Sequence, residues 1–398
     1  MSGDLPVGRV LQIHTSYRQP GGEDLVVEAE KQLLESAGMS VGQVMFDNAE
    51  LREAASLAGD LRLAASAIWS RRAERLVADA IAAQNPDVVH VHNTFAAASP
   101  SVFAAARRVP IVHTLHNYRM VCPVAIAFRD GHACTDCVGR VIPWPGVLHA
   151  CVRGSRSQSA VAAATTAVHR GLGTFRRIGV YVALTSFQRG LMIEGGLPAE
   201  RIKVIPNFLE PDPGMGSEPR SGVVYVGRLA EEKGVEVLLR AARIGPGHIS
   251  VAGGGPLAPA VEQAAAEHHV QFLGSLDRLS VVHRLRAALA LVVPSLWFEG
   301  FPLTVVEAYA TGTPVIASRI GSLAEVVEDG VTGLLADGHD ADGLAKRIQW
   351  ATGHPDEMRQ MGANARRLYE ARFRGAAHLA DLLDAYQAAG AKRRVAVA

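Results

Sequence analysis

Short apolar runs alternate along this chain with longer stretches in which apolar positions recur every third or fourth residue. Runs at residues 7–13, 41–46, 87–92, 111–116 and 181–184 predict strands in the first half, and runs at 222–226, 249–252, 270–273, 291–294 and 314–318 predict strands in the second. Helical periodicity falls between them at 24–37, 73–83, 235–243, 261–268 and 344–350. Strands that are apolar throughout, separated by helices, indicate parallel sheets covered on both faces. The alternation breaks at residues 207–221, where Asn-Phe-Leu-Glu-Pro-Asp-Pro-Gly-Met-Gly-Ser-Glu-Pro has the composition of a linker. The expected fold is therefore α/β, with two Rossmann-like domains whose ligand lies in a cleft at the strand C-terminal ends. The boundaries expected are 1–206, a linker at 207–221, and 222–375, followed by a segment at 376–398. That last segment holds a helical pattern with no strand after it, expected to pack back on the first domain, and a solvated tail at Lys392, Arg393 and Arg394.

Length and charge agree with this frame. At 398 residues the chain is long for a single domain, and a hydrophobic fraction of 48% suffices for two cores. A net charge of +1 argues against a nucleic-acid or acidic-polymer binder. The first residues are polar and run directly into a strand pattern, and no apolar run reaches the length of a membrane span. A soluble cytoplasmic protein is the expectation.

The chemistry concentrates between Glu299 and Glu307. Gly300-Phe301-Pro302-Leu303-Thr304 reads as a turn entering an apolar helix, with Pro302 at the first helical position. The N–H groups of Leu303 and Thr304 at the helix start form an anion site. Carboxylates on either side of an anion site suit a ligand with a charged middle and hydroxyl-rich ends, such as a nucleotide-diphosphate sugar. Upstream, Gly227-Arg228-Leu229-Ala230-Glu231-Glu232-Lys233-Gly234 follows a strand and precedes a helix, so Arg228 and Lys233 can converge on the same anion.

Other positions gain meaning from their place in the pattern. Gly21 and Gly22 lie between the first strand and the helix expected from Asp24, where backbone amides can approach phosphate or simply make a tight turn. Gly253, opening Gly253-Gly254-Gly255-Pro256, offers the same two readings. No Gly-x-Gly-x-x-Gly follows the first strand, which counts against a nicotinamide dehydrogenase. His116 closes a strand and so points into the cleft, whereas His90 and His92 share one face and read as a satisfied structural pair. Asp340 precedes a helix and reads as its N-cap rather than as a metal ligand with Asp342.

Taken in order, these motifs resemble those of the family 4 retaining glycosyltransferases, which have the two-domain GT-B fold with parallel sheets facing across a cleft. The resemblance runs from Gly21-Gly22 through Gly227-Arg228 and Lys233-Gly234 to Glu299-Gly300-Phe301-Pro302, Glu307-Ala308 and Gly312-Thr313-Pro314-Val315. It implies that Arg228 and Lys233 hold the diphosphate, Glu299 the hydroxyls of the donor sugar and Glu307 the ribose. Amides of Gly22 and of residues 301–304 would contact phosphate, and His116 would contact the sugar near the reacting carbon. The implied reaction moves a sugar from a nucleotide-diphosphate sugar to a hydroxyl of a saccharide or lipid-linked acceptor with retained configuration. No cofactor is required for it. A nucleotide-sugar epimerase and a non-catalytic nucleotide-sugar binder are the alternatives from other classes.

All four cysteines, Cys122, Cys134, Cys137 and Cys151, fall in a Cys-rich insertion at 118–153 that the family pattern does not demand. In a cytosolic chain they read as a tetrahedral structural zinc site, or as reduced and partly buried thiols. Residues 153–177 and 68–75 carry arginines among small apolar residues, a composition that suits peripheral contact with an anionic membrane or a solvated helix face.

Overall fold

The structure is a computed structural model that describes residues 7–16, 21–48, 57–95, 97–216, 219–245 and 248–392. Arg393 and Arg394 of the expected tail, Ser217 and Glu218 of the expected linker, and the first six residues lie outside the described residues. The apolar runs do form strands. In chain order they are β1 (Arg9–Ser16), β2 (Ser40–Asp47), β3 (Val88–Val91), β4 (Ile111–Thr114), β5 (Phe128–Arg129), β6 (His132–Ala133), β7 (Val180–Ala183) and β8 (Ile202–Val204). They continue as β9 (Val223–Val226), β10 (Ile249–Ala252), β11 (Gln271–Gly274), β12 (Ala290–Val293), β13 (Val315–Ser318) and β14 (Gly333–Ala336). β3, β4, β7, β12 and β13 are buried at every position, as sheets sandwiched between helix layers require.

The chain divides into two compact units, one of residues 1–126, 135–206 and 378–398, the other of 127–134 and 207–377. Each holds a six-stranded sheet, ordered β2-β1-β3-β4-β7-β8 in the first and β11-β10-β9-β12-β13-β14 in the second. Every ladder in these two sheets is parallel. In each sheet the strand order reverses once, between β1 and β3 and between β9 and β12. Connections leave such a point in opposite directions and open a crevice at the strand C-terminal ends. This is the α/β two-domain fold expected, with β8, β14 and the β5–β6 hairpin as additions.

The insertion at 118–153 was expected to lie wholly in the first domain, but its hairpin 127–134 groups with the second unit, where Phe128 packs on that core. The helix expected at 376–389 is Gly375–Ala388. Its Leu382, Ala385 and Tyr386 are buried in one cluster with Val10 of β1, Val88 of β3, Val112 of β4 and Val180 of β7. Full burial of a large apolar side chain stabilises by roughly 1.5–3 kcal/mol. This helix is therefore an integral layer of the first unit.

Candidate functional site

In the second unit the reversal point lies between the segments that follow β9 and β12. After β9 the chain makes a 3₁₀ turn, Glu231–Lys233, and enters helix Val235–Ile244 through Gly234 in the left-handed region at φ 69°. A Cβ on Gly234 would sit 1.8 Å from the carbonyl oxygen of Pro294, so only glycine lets the two segments touch. The Leu296 N–H donates to the Glu232 carbonyl at 2.9 Å and closes the same contact. As a result Lys233 Nζ reaches Glu299 Oε1 at 2.8 Å and Oε2 at 3.0 Å. Ser295 Oγ donates to Glu299 Oε1 at 2.6 Å. Lys233 also stands 4.9 Å over the Trp297 ring, whose Nε1 is buried with no hydrogen-bond partner among the described residues. Arg228 forms an ion pair with Glu232, with its own side chain 56% exposed.

The expected helix start needs a correction. Pro302 is the extended residue before helix Leu303–Ala310 (φ −71°, ψ 119°), not its first turn, because the Val305 N–H already closes on the Pro302 carbonyl at 3.1 Å. Pro302 also has no N–H to offer, so the amides that open the helix are those of Leu303 and Thr304. Asn207 Nδ2 holds the Phe301 carbonyl at 3.0 Å, and Phe301 itself is buried against Phe373. Glu307 is buried one turn inside the helix. Burial pushes its carboxyl up to about 6, opposed by Arg278, whose Nε lies 3.8 Å from Oε1. Gly253 closes β10 against β9 rather than offering an amide. A Cβ there would meet the Gly227 carbonyl oxygen at 1.8 Å, and its N–H donates to the Gly274 carbonyl at 2.8 Å.

In the first unit, Gly21 is the extended residue preceding helix Gly22–Ser36, which begins two residues before the expected Asp24. Its N–H is taken by Asp24 Oδ2 at 2.7 Å, whereas Gly22 heads the helix. Glu23, beside it, accepts from Asn93 Nδ2 and Asn117 Nδ2, each at 3.3 Å. His116 lies two residues beyond β4, and its Nε2 is 3.0 Å from His92 Nδ1. Behind His92 stands a buried cluster centred on Glu30. Gln12 Nε2 donates to Glu30 Oε1 at 3.0 Å, His90 Nδ1 lies 2.9 Å and His92 Nε2 3.3 Å from the same oxygen, and His378 Nε2 lies 3.3 Å from Oε2. The far nitrogens of His90 and His378 are held by Thr114 Oγ1 at 2.8 Å and the Pro206 carbonyl at 3.0 Å.

Burial alone would raise the Glu30 carboxyl, but the histidines around it hold it well below the usual carboxylate range. Burial pushes His92 down to about 3, with His90 adding to the effect, and holds His116 well below its ordinary value. The cluster thus carries an ionised carboxylate and neutral imidazoles at its outer end. His116 opens onto a pocket lined also by Phe95, Asn117, Arg119, Thr165 and Thr166. Arg119 stacks over Phe95 there, 3.8 Å from the ring centre.

Lys233, Glu299, Glu307 and His116 are candidates from the sequence, whereas Glu30, His378, Glu232, Ser295 and Arg278 join them only through the contacts of the fold. For Glu30 a signal was present, since it falls in step with the buried Val26 and Leu34 on one helix face. Asp340 caps its helix as expected, accepting from the Gly343 N–H at 2.8 Å. Cys122, Cys137 and Cys151 share the first unit, and Cys134 falls in the hairpin segment grouped with the second. Among the described residues Glu30, His90 and His92 form a close group of three candidate metal ligands.

Comparison with known proteins identifies the family. A family model described as "Glycosyl transferases group 1" matches residues 217–368, and one described as "Glycosyl transferase 4-like domain" matches residues 24–207. The chain belongs to the group 1 glycosyltransferases. It is 30% identical over 332 residues to a D-inositol 3-phosphate glycosyltransferase of Nocardia farcinica, covering 76% of this chain and 66% of that protein. A D-inositol 3-phosphate glycosyltransferase of Mycobacterium sp. (strain KMS) is 39% identical over 145 residues, 34% of this chain and 33% of that protein. The aligned part of this group 1 glycosyltransferase thus spans a third to two thirds of these relatives. In fold it is similar to HepE of Anabaena, solved in complex with UDP and glucose, with a TM-score of 0.67, 18% identity, and coverage of 96% of this chain and 99% of that one.

Proposed function

We propose that this chain transfers a sugar from a nucleotide-diphosphate sugar to a hydroxyl of a saccharide or lipid-linked acceptor, with retention at the anomeric carbon. The acceptor places it in cell-surface polysaccharide or glycolipid biosynthesis, working at a membrane's cytoplasmic face. The observation that carries the reading is the Lys233–Glu299 pair at the strand-order reversal, beside the helix start at Leu303 and the buried Glu307.

An incoming diphosphate competes with Glu299 for Lys233, and with Glu232 for Arg228. Each cation exchanges one anionic partner for another and so stays paired. Glu299, released from Lys233 but still bonded to Ser295, turns its carboxylate to sugar hydroxyls. Glu307 accepts from the ribose, and the Leu303 and Thr304 amides with the helix dipole face the phosphates. His116, kept neutral by burial, contacts the donor sugar near its reacting carbon as a hydrogen-bonding group rather than as a cation. In the reaction the bond from the anomeric carbon to phosphate oxygen breaks and the bond to acceptor oxygen forms on the same face. The acceptor proton passes to the departing phosphate. Positive charge waiting where negative charge develops lowers the barrier.

Incubation with a panel of UDP-, GDP- and ADP-sugars, with and without saccharide acceptors, tests the reading. Nucleotide release that depends on acceptor supports transfer. Isomerised donor without acceptor, or binding with no turnover, replaces transfer with an epimerase or a binding protein.

A further inference from the structure

Residues 137–177 contain six arginines, Arg140, Arg153, Arg156, Arg170, Arg176 and Arg177, and neither an aspartate nor a glutamate. Within the same stretch Val141 is 74% exposed, Ile142 57%, Trp144 51% and Leu148 54%. Trp144 and Leu148 are the first and last residues of a one-turn helix, a spacing that sets both on one side. Four large apolar side chains held in water within a few residues need a partner to account for them.

The segment is built to present them. Arg170, at the end of helix Arg156–Gly171, donates to the Arg140 carbonyl at 2.7 Å, the Met120 carbonyl at 2.8 Å and the Gly195 carbonyl at 3.0 Å, which pins the start of the segment to the first unit. Pro143, Pro145 and Gly146 are buried beneath it, so alternate residues anchor while their neighbours face outward. The Arg140 guanidinium lies over the Trp144 ring, 5.1 Å from its centre, joining a cation to an aromatic at the patch itself. Arg153, Arg156, Arg176 and Arg177 are all exposed.

We propose that the face formed by residues 140–148, in a stretch whose exposed charges are all arginines, docks on an anionic lipid bilayer. Apolar side chains enter the headgroup boundary, tryptophan sits at the interface, and cations of a single sign meet acidic headgroups. The absence of any acidic residue over the whole stretch is what favours lipid over a protein surface of mixed charge. This deepens the lipid-linked acceptor reading and rests on it for its purpose, yet vesicle binding is read without donor or acceptor, so either can fail alone.

The test is co-sedimentation of the full chain with vesicles of phosphatidylcholine alone and with vesicles containing phosphatidylglycerol. Retention at least about tenfold greater on the anionic vesicles, falling as salt is raised, is expected. Tryptophan emission should shift to the blue on binding, and Trp144→Phe should remove that shift. Val141→Asp with Ile142→Asp should lower retention at least about tenfold while far-UV circular dichroism stays unchanged. Equal retention on both vesicle types, or none on either, overturns the proposal. So does a concentration-dependent dimer that the double variant dissolves without any vesicle binding by the parent, which would make this face a contact between copies. The lipid and salt comparisons use the parent chain and stand even if the double variant fails to fold.

Discussion

Both units bury a glutamate near the point where the strand order reverses, but they hold it in opposite ways. Glu30 in the first unit is gripped by side chains from three separate regions: Gln12, the pair His90 and His92, and His378. Glu299 in the second is held by a serine and by a lysine with a flexible stem. The first arrangement fixes charge in place, whereas the second can be taken apart by a competing anion.

The sharpest way to break the contrast is to remove each glutamate's support. Glu30→Ala leaves buried imidazoles and an amide without their acceptor and should cost about 3–5 kcal/mol. Hydrogen exchange would read this as lost protection in β3 and β4 with β9 and β12 unchanged; equal loss in both units would contradict the division. Lys233→Ala should confine any lost protection to the second unit and lower transfer by about 100-fold or more, as should Glu299→Ala. Near-normal turnover in either variant would remove the pair from the chemistry.

Acid should separate the units by sign. In the first, His92 takes its proton only near pH 3 and His113 near pH 4, against an ordinary value of 6.5. Between those limits the unfolded chain holds more protons, so stability falls as pH falls, by on the order of 2 kcal/mol for each histidine at pH 5. Glu307 behaves oppositely, since its folded value of about 6 lies above the ordinary 4.5. Its contribution is complete below 4.5 and is lost as pH rises through 6. Protection measured at pH 7.5 and pH 5 should therefore drop in β3 and β4 and hold around helix Leu303–Ala310. The smallest effect expected is on the nucleotide. Calorimetry should show donor affinity weakening below about pH 6, and Glu307→Gln should lose roughly tenfold at neutral pH together with that dependence.

The second unit's candidate residues were legible because they lie in short motifs whose spacing survives without the fold. Lys233 and Glu299 were both identified, although their direct pairing emerges only when Gly234 meets Pro294. The first unit's cluster was hidden for a different reason. Glu30 and His378 are 348 residues apart, and no periodicity links them. β8 was missed because Ile202–Val204 is three residues with a lysine at its centre, and β14 because it opens on a glycine after a turn. Hydrophobic pattern reports what a segment does alone, and these elements are defined by neighbours. Pro302 shows the limit at a boundary, where one residue decides whether an amide or a ring faces the anion.

The return of helix Gly375–Ala388 to the first unit has a consequence for synthesis. The second unit's core is complete once residue 377 has left the ribosome, but the first unit then still lacks its last layer. His378 reaches Glu30, and Tyr386 lies 3.0 Å from His90 Nδ1. The unit translated first is thus finished last. Until the final helix arrives, Glu30 stands beside His90 and His92 without the layer that covers them. A chain that stopped short of residue 378 would hold the second unit whole and the first one unfinished.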